Sequence, residues 1–469
     1  MKQRGSILAS GGYLVCQTEQ QAAALSYQTE RGLRSRLWFI VLVALTLRLI
    51  VVSFLAVNQL DPVRGHWKFG WETGRIASSL ASGHGFGSPL FGETGATGWM
   101  APIYPCLLAG IFKIFGIYTK ASAYVILSLN CLFAALTCQP LHAIARKVCG
   151  GTVATAAAWT WALFPYSINF AAGLVWNTTL NAFLLTSAIS MTLSMERRLG
   201  TWTWIGWGSL WALIGLTEPS LLTCLPVAGL WLVSRLRRRG MPWIAFWRPA
   251  LAALAFLVFV SPWFLRNYRV FGQLLPFRSN FWLTFYQGNT WDTFDLYPDW
   301  ANPPHNPTEM ADYARVGEIA YMSEKKQQAI AEIREYPARF AWTTLRRIVF
   351  TWTGYWNLSR AYRGIEPFAL PNVLMITTLS LLSSAGLVLT FAYSRRHAIL
   401  FAWLFLAFPC VYYVTHPSME YRHPLDPFLV LLAVYFVIER GTARETKNVR
   451  STVELDFALQ TLSSTSRDA

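Results

Sequence analysis

Carboxylates are the scarce resource of this chain: 24 Asp and Glu stand against 40 Lys and Arg in 469 residues. An acid beside long apolar segments is costly unless it is used or paired. Glu72 opens the run WETGRIASSLASGHGFG, where Trp71, Ile76 and Leu80 recur at roughly helical spacing and Gly83 and Gly85 end the pattern. A carboxylate in the first turn of such a helix can take a proton from a substrate hydroxyl. It can equally complement the helix dipole and pair with Arg75. The other acids on the same expected side, outside the polar stretch 266–368, are Asp61, Glu93, Glu218, Glu420 and Asp426. Four cations there could meet phosphate: Arg75, Arg266, Arg278 and Arg422. A planar guanidinium binds phosphate in two places. Arg422, within EYRHP, is the first choice, and the alternative is an interfacial Arg snorkelling beside Glu420. His66 and His84 with Glu72 are the candidates for a divalent cation, although their spacing is not diagnostic.

The elements that must hold these groups are membrane helices. The chain is 54% hydrophobic, 15% aromatic and only 14% charged, against about 25% charged in soluble domains; its mean hydropathy is +0.33. Disorder and an ordinary soluble enzyme are excluded for most of it. The net charge of +16 sits in short clusters between apolar runs, as in RGLRSR (31–36) and RLRRR (235–239). That is the positive-inside pattern, and it argues against a nucleic-acid partner. The seven cysteines show neither metal spacing nor a disulfide framework.

About ten spans are expected, near 37–57, 121–145, 152–170, 178–195, 202–217, 220–234, 249–265, 370–392, 398–414 and 425–438. Residues 1–35 then form a cytoplasmic tail without a cleavable signal, and 36–265 an N-terminal bundle with its first outer loop at 58–120. A small outer domain (266–368), C-terminal spans (369–440) and a cytoplasmic tail (441–469) follow. The segment 101–116 is short and Pro-rich at its start, and is expected to lie along the outer face. Within the outer domain, SEKKQQAIAEIREYPARFAWTTLRRI (323–348) reads as an amphipathic helix interrupted at Pro337. Arg48, inside the first span, must face the bundle: it meets backbone carbonyls or an acid, or else a lipid phosphate.

The first-loop string with Glu72 and GWMAPIYPCLLAGIFKIFG (98–116) resembles the first outer loop of polyprenyl-phosphate-dependent glycosyltransferases of the GT-C class. Family 39 protein O-mannosyltransferases and aminoarabinose transferases belong to it. ALFPYSINFAAGLVWNTTLNAFLL (162–185), GLTEPSLL (215–222), PWFLRNYRVFG (262–272) and EYRHPLDPFLVLLA (420–433) follow in the family's order, so the resemblance covers roughly 36–440. It implies an all-α polytopic GT-C-like bundle in a bacterial inner membrane, with the active site on the outer side. It implies an inverting transfer of a sugar from a polyprenyl phosphate to an acceptor hydroxyl, with Glu72 as base. Tyr104, in the Pro-aromatic-Pro type segment, Asn177 and Glu218 would position substrate. One departure stands out: the family's second outer loop commonly carries an acid after its Pro-aromatic pair, whereas this chain has Trp176-Asn177 and no acid between Gly150 and Glu196. Asn177 then orients substrate, or Glu218 substitutes, or activity is altered or lost. A divalent cation and the acceptor (protein, lipid or polysaccharide) stay open. The competing classes are a lipid-linked glycan flippase, which should show repeated halves and polar mid-membrane helices, and a non-catalytic scaffold.

Overall fold

The computed structural model describes residues 35–56, 69–196, 200–290, 299–365 and 368–441. Helix α1 (Ser35–Phe54) widens into a π-helix over Val52–Ala56. Helices α2 (Trp71–Ala81) and α3 (Ile103–Phe115) lie in the first loop. The bundle continues with α4 (Lys120–Leu136), α5 (Cys138–Val148), α6 (Gly151–Leu163), α7 (Pro165–Gly173), α8 (Thr178–Ser194) and α9 (Thr201–Gly215). A 3₁₀ turn, Pro219–Thr223, leads into α10 (Cys224–Arg238), and α11 (Pro242–Phe271) follows. Five helices then alternate with turns: α12 (Phe281–Asn289), α13 (Pro307–Val316), α14 (Glu318–Glu335), α15 (Pro337–Thr353) and α16 (Arg360–Ile365). The chain closes with α17 (Ala369–Ala407), α18 (Cys410–Val414), α19 (Met419–Arg422) and α20 (426–441).

Five stretches among the described residues are long and apolar enough to cross a membrane: Ser35–Phe54, Lys120–Val148, Pro219–Arg238, Pro242–Phe271 and Ala369–Val414. The fold is therefore all-α and membrane-embedded. Other stretches expected as spans fold as shorter helices, and in one of them Pro165 cannot continue α6. The expected span 152–170 thus becomes two helices meeting at Phe164. The helix break expected at Pro337 falls between α14 and α15.

That break at Pro165 also explains Arg48. Ending α6 leaves the carbonyls of its last turn short of intrahelical donors, that of Trp161 accepting from Phe164 N at 3.2 Å. Arg48, buried in the bundle, donates to the carbonyls of Ala162 (2.8 Å) and Trp161 (3.2 Å), to that of Ala44 (2.9 Å) and to Ser167 Oγ (2.8 Å). Elsewhere small residues bring helices close. A Cβ on Gly208 of α9 would lie 2.1 Å from the Ala252 carbonyl of α11, so only glycine permits that crossing.

Two ends of the bundle follow. At one, Glu196 pairs with Lys147 and Arg235, each at 2.9 Å, and accepts from Arg239 through its carbonyl. This basic end holds Lys147, Arg235 and Arg239 around one acid. At the other, the carboxylate of Glu318 accepts from Gly98 N (2.7 Å), Ser279 Oγ (2.7 Å), Tyr313 OH (3.0 Å) and Thr97 Oγ1. The first loop, the segment after α11 and α14 are thereby tied at one buried acid.

Candidate active site

Gly70 caps α2 in a left-handed conformation (φ 87°) and accepts from Thr73 N at 2.8 Å. The next residue, Trp71, also has a positive φ of 44°, a conformation that is strained for a bulky side chain. Its indole meets that of Trp176 edge-on at 5.4 Å, and Glu72 follows directly. Both open into a cavity of about 450 Å³, well within the range of small-molecule sites.

Several separate parts of the chain wall this cavity, among them the stretch before α13 with Asn302 and His305. The first loop contributes Trp71, Glu72 and Trp99; the turns before α8 and α10 contribute Trp176 and Glu218. The segment after α11 brings Arg278 and Phe281, and the stretch around α18 and α19 brings Tyr412, His416, Glu420 and Tyr421. A Cβ on Gly288 of α12 would lie 2.1 Å from the Thr415 carbonyl. The missing side chain is therefore what lets the segment at Thr415 and His416 close against α12.

Charge is ordered within the walls. Arg278 makes a two-point contact with Glu218, at 3.1 and 3.2 Å. Glu218 also accepts from Ser220 Oγ at 2.8 Å, and that hydroxyl lies 2.8 Å from Tyr412 OH. Burial pulls the Arg278 guanidinium down, but Glu218 and the phenols of Tyr412 and Tyr421 outweigh it and raise it above the ordinary value. Arg278 is a fixed cation at any working pH. Burial raises Glu72, against the opposing pull of a backbone N–H, Arg75 and His305. Burial likewise pushes Glu420 up to about 7, a rise only partly offset by Ser418. His416 is pushed down to about 4 by burial and by Arg347, and is neutral.

The Glu420 shift has a signed consequence. From an ordinary 4.5 to about 7, only the folded chain keeps this proton. The stability associated with it is complete below about pH 4.5 and is lost as pH rises through about 7. Thermal unfolding in detergent is expected to show Glu420→Gln more stable than wild type at pH 8 and indistinguishable from it at pH 4. A constant difference across that range would remove the buried, proton-bearing Glu420.

The sequence-derived candidates separate clearly. Glu72, Glu218 and Arg278 share the one cavity. Asn177 does not line it: its Nδ2 donates to the Thr217 carbonyl at 3.0 Å, which holds the Trp176 and Glu218 turns together. Tyr104 is buried against Asn130, whose Nδ2 donates to it at 3.1 Å. Arg266 spends its fork on the carbonyls of Thr97 (2.6 Å) and Phe86 (2.8 Å) and locks the first loop. Arg75 lies over Phe91, 4.2 Å from the ring centre, and lines a neighbouring cavity of about 350 Å³.

Arg422 requires the largest correction. It is not at a lipid-headgroup surface but inside the bundle, 3.0 Å from Asp426, with side-chain exposures of 1% and 2%. Its Nη1 also donates to the Thr351 carbonyl at 3.3 Å. Two residues apart on a short helix, Glu420 and Arg422 cannot point the same way, so the turn that gives the acid to the cavity buries the arginine. Among the described residues no group of three or more His, Cys, Asp or Glu is placed to hold a metal ion. His84 is exposed, and His66 lies outside the described residues.

Sequence reasoning noted Glu420 as a scarce acid and a partner for Arg422, and missed His305, His416, Tyr412 and Tyr421. The two-residue offset within EYRHP is the signal that could have exchanged Arg422 for Glu420. A second cavity, about 660 Å³, adjoins the first; Tyr166, Phe170, Phe350, Tyr355 and Met375 line it, and Pro417 and Ser418 border both.

No family model matches the chain, and no curated protein matches it. Among solved structures it is similar to the Archaeoglobus fulgidus oligosaccharyltransferase in complex with Zn and sulfate, at 14% identity and a TM-score of 0.48, over 89% of this chain and 51% of that one. The same organism's oligosaccharyltransferase AglB, in complex with an inhibitory peptide and a dolichol-phosphate, gives 13% and 0.47 over 87% and 52%. The apo form of the oligosaccharyltransferase gives 13% and 0.48 over 88% and 52%. The chain spans about half the length of these proteins, and the likeness is a distant one of overall shape.

Proposed function

We propose that this protein is a GT-C-like glycosyltransferase that moves a sugar from a polyprenyl-phosphate donor to an acceptor hydroxyl at the end of the bundle opposite its basic loops. The observation that carries this reading is the junction of two unlike cavities. One holds Glu72, Glu420 and the cation Arg278; the other is rich in aromatic rings and, among the described residues, has no charged lining, and they meet at Pro417 and Ser418. An amphiphile with a polar sugar phosphate and a long isoprenoid tail matches both halves.

The chemistry needs few groups. The acceptor oxygen attacks the anomeric carbon, the bond from that carbon to the phosphate oxygen breaks, and its electron pair leaves with the phosphate. Glu72 takes the acceptor proton; burial, by raising its basicity, suits it to do so. Arg278, held by Glu218, meets the charge developing on the phosphate. Glu420, near neutrality under ordinary conditions, can face that phosphate without full repulsion. Trp71, Trp99 and Trp176 give flat apolar faces for a sugar ring.

The test is a donor screen on purified protein in lipid discs, with and without chelator, reading release of free polyprenyl phosphate. At least one polyprenyl-phosphate sugar should be consumed. Translocation of intact donor without its cleavage would favour a flippase. Arg278→Gln is expected to raise the KM for donor at least about tenfold, the loss of one charge-assisted contact, and to leave the acceptor KM within twofold. An equal rise in both would contradict the phosphate role of Arg278.

A further inference from the structure

At the basic end, α17 is interrupted. Ser394 leaves the helical region (φ −151°, ψ 69°), and the chain resumes as a helix in a new direction. The kink is pinned on both sides: Trp231 Nε1 donates to the Arg396 carbonyl at 2.9 Å, and Ser394 Oγ lies 2.8 Å from His397 Nδ1. It opens a cavity of about 740 Å³ against the last turn of α10, lined by Arg238, Tyr393, Ser394, Arg395, Arg396 and Ile399. Three guanidinium groups therefore face one space whose lining, among the described residues, contains no carboxylate. The buried acid of this end, Glu196, is already engaged by Lys147 and Arg235.

A second feature starts at the rim. Ile399, Trp403 and Leu406 are exposed apolar residues spaced four and three apart, so they form one column along α17. Tyr393, 74% exposed, stands beside the cavity, and such aromatics sit at headgroup level in membranes. A fixed cationic hollow continuous with an apolar track is complementary to a phosphate that carries acyl chains.

We infer that the α10–α17 cavity binds the headgroup phosphate of an anionic glycerophospholipid, with an acyl chain along Ile399, Trp403 and Leu406. The site stands apart from the transferase cavity and would hold whether or not that activity is found. Guanidinium forks bind phosphate oxygens in pairs, and basic pockets between helices at this membrane level suit anionic headgroups.

The test uses the full chain, purified in a zwitterionic detergent and titrated with phosphatidylglycerol or phosphatidylcholine. Thermal unfolding and retained lipid, read by native mass spectrometry, are followed together. Wild type is expected to retain phosphatidylglycerol and to gain at least 5 °C over phosphatidylcholine. The triple variant R238Q/R395Q/R396Q should lose both effects. An equally charged control, R146Q/R237Q/R440Q, changes arginines that do not line the cavity and should keep them. If the control loses as much, only bulk electrostatics acts and the site is refuted. Retention by the triple variant, or equal stabilisation of wild type by inorganic phosphate, refutes it as well. Should the triple variant not fold, R395Q alone, at an exposed position, is expected to weaken retention at least fivefold; unchanged retention there overturns the proposal.

Discussion

Glu72→Gln is expected to slow sugar transfer by about 10²- to 10⁴-fold, the usual worth of a positioned general base, while the protein folds and inserts normally. Glutamine keeps the shape of the side chain but cannot accept the proton. Because Glu72 is raised by burial, wild-type turnover should climb with pH as the carboxyl ionises, at a point above the ordinary carboxylate range. That rise should vanish in the variant. The measurement is single-turnover release of polyprenyl phosphate across pH 4 to 8. Wild-type turnover in Glu72→Gln would remove this residue as base, however well it lines the cavity. A loss of rate with the pH rise intact would instead make Glu72 a positioning group.

Asp426→Ala is expected to destabilise the fold by about 3–5 kcal/mol, the cost of stranding a buried partner charge. Asp426 faces Arg422 at 3.0 Å and His423 Nδ1 at 2.9 Å, and all three are almost fully enclosed. His423 in turn stacks on Trp161 (5.3 Å) and meets Phe170 edge-on (4.8 Å). Removing the carboxylate leaves the guanidinium with the Thr351 carbonyl alone, and the His423 imidazole, packed among rings, loses the partner of its Nδ1. Denaturant titration in mixed micelles, with Arg422→Ala and the double variant, closes a mutant cycle. Destabilisation below about 1 kcal/mol would mean that water enters the site and that the pair is not load-sharing with the bundle. Arg422→Ala should behave as a folding variant, not as one selectively deficient in donor lipid.

How much of this was legible depends on the range of the interaction. The start of α2 at Trp71, with Glu72 in its first turn, follows from local spacing and from Gly70 before it. The interruption at Pro337 and the inward-facing Arg48 are likewise consequences of one residue's chemistry. The meeting of Glu72, Glu218 and Arg278 is another matter. They lie on three separate parts of the chain, and the contacts that bring them together run through Glu318 and Asn177. Neither the Glu318 hub nor the Asn177–Thr217 clamp has a periodic signal. Arg266 and Arg422 misled because a cation near an expected membrane surface has two uses, meeting an external anion or satisfying internal carbonyls and acids. Only the fold decides between them. For Arg266 the freed oxygens of the first loop decide it, and for Arg422 the neighbour is Asp426, four residues on.

The shared border at Pro417 and Ser418 has a kinetic consequence for the proposed transfer. A spent isoprenoid carrier could slip back sideways into the bilayer through the aromatic hollow while the aqueous mouth beside Glu72 remains occupied. Carrier exchange and product departure would then run through different doors. Neither reactant need wait for the other, and turnover would show random rather than compulsory order of addition.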